Sequence, residues 1–314
     1  MMRILALVPG GTGDQLLFLP TLATLKKQYA NAEIDVVIEP RAMAAYRICQ
    51  SVNRTFKFDF QDRNSLADFG NLLGTIRDRE YDVAIVSESR FSTNLLLWLS
   101  GIPKRIAKAG QGDFLLTEAI AVDPQMYAAA QHHQLLQAIG IQEPCPPIQV
   151  NLSKLDLDWV TAEQKRLGIS QTGFILLNCG AYGNYPAASW AAIATAIQTK
   201  MPKLPIVVVD SVNNADLLNK LTSQVSNLLI SSPTDIGKLA ALIAAANLFI
   251  CAEGDAMQLA VAVGTALVSI LSSKTNPAVI LPINEQRIKY VTAIAGQPLS
   301  EIAPELVLEK VWQG

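Results

Sequence analysis

The chain has 314 residues, half of them apolar, with 17% charged residues and a formal net charge of −2. That is enough apolar chain to bury a large core, and the length suits two domains of roughly 150 residues each. Disorder is excluded, and the near-neutral charge gives no electrostatic footprint for nucleic acid and no strong anionic-membrane anchor, so small molecules or proteins are the expected partners.

The first predicted elements form one unit. An apolar strand over 4–8 breaks at Pro9, Gly10, Gly11, Thr12 and Gly13, and leucines at helical spacing follow at once, which predicts strand, tight glycine loop and helix. Asp14 sits where the loop meets the helix. The glycines allow close approach of a ligand to the backbone, and the N–H groups of a helix start attract anions. An ordinary N-cap aspartate gives the same spacing. The loop lacks G-x-G-x-x-G and a P-loop lysine, so neither dinucleotide binding nor nucleotide hydrolysis is supported.

Alternation then continues with a strand over 33–38, a helix over 41–49, a strand over 55–60, a helix over 65–77, a strand over 82–86, a helix over 92–99 and a short strand near 105–107. This pattern predicts a parallel sheet with helices on both faces, with ligands beyond the carboxyl ends of its strands. The rim so placed comprises residues 11–14, 87–90 and 109–113. Arg90 on that rim is either a holder of an anionic acceptor or a solvated surface arginine. A helix over 128–139 ends at Gly140, and Pro144, Pro146 and Pro147 mark a crossing between domains near 140–158. His132 and His133 on that helix have no acid or cysteine at ligand spacing, so they read as helix surface and helix edge, and no metal site is expected.

The second half repeats the pattern: strands over 174–179, 206–210, 227–231, 248–252 and, last, 266–271, with helices over 190–199, 214–225, 236–246 and 256–263 between them. An amphipathic helix over 300–313 closes the chain. The domains expected are 1–150 and 151–298, with 299–314 packing back at their junction. Cys49, Cys145, Cys179 and Cys251 form no C-x-x-C pair, so they read as buried or incidental thiols in a reducing compartment. No segment reaches the roughly 18 apolar residues of a membrane span, and the start is too short for a secretory leader. A cytosolic protein is expected, and loose association with the inner face of a membrane would leave no mark in this pattern.

Gly13-Asp14-Gln15-Leu16-Leu17, then Pro20-Thr21-Leu22, Leu25-Lys26 and Ala32-Glu33-Ile34-Asp35 resemble the N-terminal signature of glycosyltransferase family 9, the ADP-heptose:lipopolysaccharide heptosyltransferases and their relatives. The resemblance implies the GT-B fold, an α/β architecture of two facing Rossmann-like doubly wound parallel-sheet domains. It also implies Asp14 as general base, with Gly11, Thr12 and Gly13 as the acceptor-side loop. In the second half Gly180 and Ala181 with Trp190 resemble the family's strand-end turn before Lys-Arg-Trp-Pro, but this chain has Ala188-Ser189-Trp190-Ala191 and no lysine. The family's Asp-Thr-Gly-x-Met-His-Leu-Ala corresponds to Glu253-Gly254-Asp255-Ala256-Met257-Gln258-Leu259-Ala260.

That region grips the donor's diphosphate in the family, so Gly180, Ala181, Tyr182, Tyr185, Glu253, Gly254, Asp255 and Gln258 are the donor-side candidates, with Tyr182 or Tyr185 available to pack on a base or sugar. Asp255 fits a helix N-cap equally well. The implied activity is inverting transfer of a sugar from a nucleotide-diphosphate sugar to a lipopolysaccharide, lipid-linked or other glycan acceptor, with no cofactor and no metal. A non-catalytic GT-B protein that binds a protein partner is the alternative, and a sugar-nucleotide epimerase ranks third.

Overall fold

The computed structural model describes residues 1–61, 64–180, 185–211 and 214–313. The chain divides into two compact units, Met1–Asn151 and Leu152–Gly314.

In the first unit β1 (Arg3–Val8), α1 (Thr12–Gln28), β2 (Glu33–Ile38), β3 (Arg54–Lys57), α2 (Leu66–Arg77), β4 (Val83–Val86), α3 (Phe91–Ser100), β5 (Lys104–Lys108), β6 (Glu118–Ile120) and α4 (Ala128–Gln134) follow one another. The sheet order is β3-β2-β1-β4-β5-β6, and its pairings are parallel. Strands β1, β2 and β4 carry near-continuous apolar runs because helices cover both faces of the sheet. Helix α1 is buried almost all round, from Gln15 to Leu22, at Thr24 and at Leu25. It therefore needs a second layer of covering chain, which α4 and the segment Pro40–Ile48 supply.

Four expectations change here. Segment Pro40–Ile48 is a 3₁₀ helix rather than an α-helix, and the helix beginning at Ala128 turns 3₁₀ over Leu135–Ile139 before Gly140 ends it at φ 84°. β6 is an added edge strand of three residues. His132 and His133 are buried, not surface residues: His132 packs edge-on against Phe18 of α1, and His133 Nε2 lies 3.0 Å from Thr24 Oγ1.

The second unit runs α5 (Lys154–Arg166), β7 (Ile175–Asn178), α6 (Ala187–Lys200), β8 (Ile206–Val209), α7 (Ala215–Gln224), β9 (Leu229–Ser231), α8 (Ile236–Ala245), β10 (Leu248–Ala252), α9 (Asp255–Val263), β11 (Leu267–Leu271), α10 (Pro277–Ile280), β12 (Ile288–Thr292) and α11 (Pro304–Trp312). Its parallel sheet has the order β12-β11-β10-β7-β8-β9. The strand over Leu267–Leu271 is thus not the last, because Ile288–Thr292 adds an edge beyond it. The buried face of α11, Val307 and Val311, lies in the core of its own unit with Trp190 and Ile193 of α6.

Candidate functional site

The glycine loop of the first unit is closed by its own carboxylates. Gly10 donates its N–H to Glu39 Oε1 at 3.0 Å, and Gly11 donates to Asp14 Oδ2 at 2.7 Å. Gly11 is the N-cap of α1 in extended conformation, and Asp14 stands at the third helical position, reaching back. Asp14 is therefore not the N-cap residue that its spacing also fitted. Gly10 has φ 110°, and a Cβ there would collide with the Asp14 carboxylate, so glycine is required at this turn. Thr12 and Gly13 form the first turn of α1, and Asp14 is exposed at the carboxyl edge of the sheet.

Glu39 is 1% exposed and anchors this arrangement, because its second oxygen accepts from Arg41 Nε at 2.7 Å. Gln15 completes the loop: it donates to Val8 O and accepts from Tyr46 Oη, both at 2.8 Å. Glu39 was not singled out in the sequence, where its cue was a carboxylate placed directly after an apolar strand, and Gln15 was named only as part of the motif around Asp14.

Arg90 is the N-cap residue of α3, half-exposed, with its guanidinium 2.7 Å from Glu88. Lys108 ends β5 on the same edge and was likewise missed. Its ammonium donates to Gln131 Oε1 at 3.0 Å, and burial pulls its pKa down against the attraction of Glu88. His132 lies behind this edge and is held to the neutral form, its pKa pushed down to about 3 by burial and by Lys108.

In the second unit a cavity of about 300 Å³ opens at the carboxyl ends of β7, β8 and β10. Gly180, Glu253, Gly254 and Asp255 line it together with Asn178 and Asp210. Among its described lining residues there are three carboxylates and no lysine or arginine. Two of the acids are tied to neighbouring loops. Glu253 accepts from Ser272 N–H at 3.1 Å and Thr275 Oγ1 at 2.6 Å, and Asp210 accepts from Ser232 Oγ at 2.9 Å. Gly180, at φ 69°, donates its N–H to Asn178 Oδ1 at 3.0 Å.

The N-cap of α9 is Gly254, at φ 154°, and Asp255 is the first helical residue, so Asp255 is not the cap itself. Gly254, Asp255 and Ala256 at the start of α9 line the cavity, and a helix start is where backbone N–H groups have no acceptor four residues back.

Two donor-side candidates are structural. Tyr185 is 1% exposed, donates to Ile302 O at 3.1 Å and packs edge-on against Trp190, so it cannot stack on a nucleotide base. Gln258 is buried and gives its amide N–H to Ile280 O at 2.8 Å, which ties α9 to α10 rather than facing the cavity. Ala181 and Tyr182 lie outside the described residues. Cys179 and Cys251 are free and buried, and burial raises both thiols, Cys179 to about 12, so neither is a nucleophile at neutral pH. Among the described residues no group of histidine, cysteine and acidic side chains is arranged to hold a metal ion.

Comparison with known proteins adds to this picture. The family model Glycosyltransferase family 9 (heptosyltransferase) matches residues 70–303. The solved glycosyl transferase family 9 protein of Veillonella parvula superposes with a TM-score of 0.83 at 17% identity, covering 99% of this chain and 96% of that one. The ADP-heptose LPS heptosyltransferase II of E. coli gives 0.78 at 20% identity, with 99% and 97% covered. At these identities the likeness is one of fold, and the fold is GT-B-like, two doubly wound α/β units. A curated protein of Arabidopsis thaliana, Photosynthetic NDH subunit of subcomplex B 1, chloroplastic, is 21% identical over 91% of this chain and 67% of its own length.

Proposed function

The chain belongs to glycosyltransferase family 9, and from that premise we propose that it is an inverting glycosyltransferase with Asp14 as the general base. The observation that carries this reading is the state of Asp14: exposed at the carboxyl edge of the first sheet, with one carboxylate oxygen fixed 2.7 Å from Gly11 N. A base held in one orientation on a rigid strand-loop-helix unit is pre-positioned for an acceptor hydroxyl. Asp14 takes the hydroxyl proton as the acceptor oxygen attacks the anomeric carbon. The bond from that carbon to the diphosphate breaks, and the nucleoside diphosphate leaves with the electron pair. The acceptor proposed is lipopolysaccharide or another glycan, met in the cytoplasm or at the inner face of a membrane, and the reaction calls for neither metal nor cofactor.

The donor is proposed to occupy the cavity of the second unit. With no cation in its described lining, the diphosphate would rest on the N–H groups that open α9. A carboxylate about 4 Å from a phosphate charge costs on the order of 4 kcal/mol at an effective dielectric near 20, so donor affinity is expected to be weak.

The same acids favour a second reading, a non-catalytic family 9 protein that binds a protein partner. The plant relative supports it, since its name is that of a subunit of a larger assembly. Calorimetry with ADP-, GDP-, UDP- and dTDP-sugars separates the two, on the parent chain and on Ala188→Lys combined with Asp255→Gly. The transferase reading expects weak binding by the parent that tightens by at least about tenfold in the double variant, as a charge-assisted contact replaces a repulsion. Binding by neither protein sinks it and leaves the partner-binding reading.

A further inference from the structure

The carboxylate that follows β2 reaches the glycine loop because of where the sheet ladder stops. β1 and β2 pair in register up to Val8 and Ile38, so Glu39 stands level with Pro9, which has no N–H to continue the ladder. Gly10 N–H is the next donor along the chain, and Glu39 Oε1 takes it at 3.0 Å. The backbone of Glu39 turns elsewhere, its carbonyl accepting from Ala42 N–H at 2.9 Å as the 3₁₀ segment begins. It is the buried side chain, braced by Arg41, that reaches back to the loop. Gln15 and Tyr46 secure Val8 O, two residues before Gly10, so they fix the strand end rather than the turn.

Gly10 needs such a fixture. Around a glycine at φ 110° little steric barrier holds the two flanking peptides, and the seat of Asp14 is built on this residue. The Asp14 carboxylate occupies the space that a Cβ at position 10 would fill. Its Oδ2 accepts at 2.7 Å from the N–H of the peptide that joins Gly10 to Gly11. Glu39 thus holds the peptide on one side of the Gly10 Cα, and the peptide on the other side holds Asp14. Rotation about that Cα moves the Asp14 carboxylate.

We infer that Glu39 is a positioning residue, which pins Gly10 so that the Gly11 N–H presents the Asp14 carboxylate in one orientation. This deepens the transferase reading and rests on it for the claim that the orientation of Asp14 governs turnover. What counts is the reach of the Glu39 oxygen rather than its charge. Glu39→Gln keeps an oxygen at the same reach, whereas Glu39→Asp keeps the charge but withdraws it by one methylene, which takes a 3.0 Å contact out of hydrogen-bond range.

The test uses the full chain. Gly10-Gly11 is the one Gly-Gly step in the sequence, so glycine isotope-labelled at its carbonyl carbon and its nitrogen isolates the Gly11 amide as a single NMR correlation. Its proton lies downfield while it donates to a carboxylate, and Asp14→Ala marks its position without that bond. Glu39→Gln should leave the proton near its parent position, and Glu39→Asp should move it toward the Asp14→Ala position. Glu39→Met fills the buried space without a strong acceptor and should give the same displacement if the aspartate variant does not fold. In an assay of nucleoside diphosphate release, Glu39→Asp and Glu39→Met should lose about tenfold or more in kcat with KM within about twofold, while Glu39→Gln stays within about threefold of the parent kcat. The proposal is overturned if the Gly11 amide keeps its parent position in the aspartate and methionine variants, or if Glu39→Gln loses as much kcat as Glu39→Asp. It is also overturned if these variants lower only the urea midpoint, as a merely structural carboxylate would. A parent chain that releases no nucleoside diphosphate from any nucleotide sugar refutes the transferase reading instead, and the amide displacement then decides by itself whether Glu39 orients Asp14.

Discussion

Replacing Asp14 separates its place in the loop from the proposed catalytic role, because the two call for different atoms. As the third residue of α1, its Oδ2 accepts from Gly11 N–H. Asn keeps an oxygen able to accept that bond and loses only the charge at the helix start, worth about 0.3–1 kcal/mol at an exposed site. Ala loses the bond as well, for a total of about 1 kcal/mol, or a fall of about 2–4 °C in the midpoint of a unit of this size. As a general base, the carboxylate contributes about 10²–10⁴-fold to turnover, and Asn removes all of it. The assay is release of nucleoside diphosphate from whichever nucleotide sugar binds, beside urea denaturation of the parent and both variants. Asp14→Asn should lose at least about a hundredfold in kcat with stability within about 1 kcal/mol of the parent. Full turnover in Asp14→Asn would refute the general-base assignment, and a stability loss in Asn equal to that in Ala would refute the account of the loop.

His132 is neutral in the folded chain with its pKa pushed down to about 3, while the unfolded chain titrates near the ordinary 6.5, so the unfolded state binds the extra proton between these values. Stability should hold above about pH 6.5 and fall by up to about 1.4 kcal/mol per pH unit below it, and urea midpoints across that range in the parent and His132→Phe should show the slope flattened in the variant. Gly10→Ala should cost about 1–3 kcal/mol or more, from positive φ and the collision with Asp14, read by the same denaturation. Tyr185→Phe should lose about 1 kcal/mol by leaving Ile302 O unpaired and should not change any nucleotide affinity, which calorimetry checks.

The strands that were plainest in the sequence are those buried on both faces. The runs over Glu33–Ile38 and Leu248–Ala252 have the bounds that their apolar stretches suggest. Ile288–Thr292 mixes Lys289 and Tyr290 into a strand with only one neighbour in the sheet, so it lacks both the alternation and the continuous run that mark a strand. β6 is half-exposed and three residues long, below the length at which periodicity carries information.

The histidines failed for a tertiary reason. A pair on a short helix reads as surface until one knows that α1 is apolar nearly all round and must be covered by that very helix. Tyr185 failed similarly, since an aromatic after a glycine turn looks like a ligand platform unless Ile302, 117 residues later, supplies an acceptor for its hydroxyl.

Both carboxyl edges follow one electrostatic pattern. Glu39 takes Gly10 N–H, Asp14 takes Gly11 N–H, and Glu253 takes Ser272 N–H. Backbone N–H groups at such edges are where doubly wound units hold phosphates, and here internal carboxylates hold several of them. An internal anion is present at high effective concentration, so an external one must either displace it or bind beside a like charge, and both courses cost affinity. In the first unit the bond that fills Gly11 N–H also orients Asp14, the proposed base. In the second unit no lysine or arginine among the described lining residues offsets the charge of Glu253, Asp210 and Asp255 beside the cavity. Nucleotide affinity is therefore the quantity on which this chain's use of the family fold turns. Removing the Asp255 carboxylate while adding a lysine at position 188 should raise that affinity, and it leaves Glu253 untouched, whose two bonds hold the turn after β11 in place.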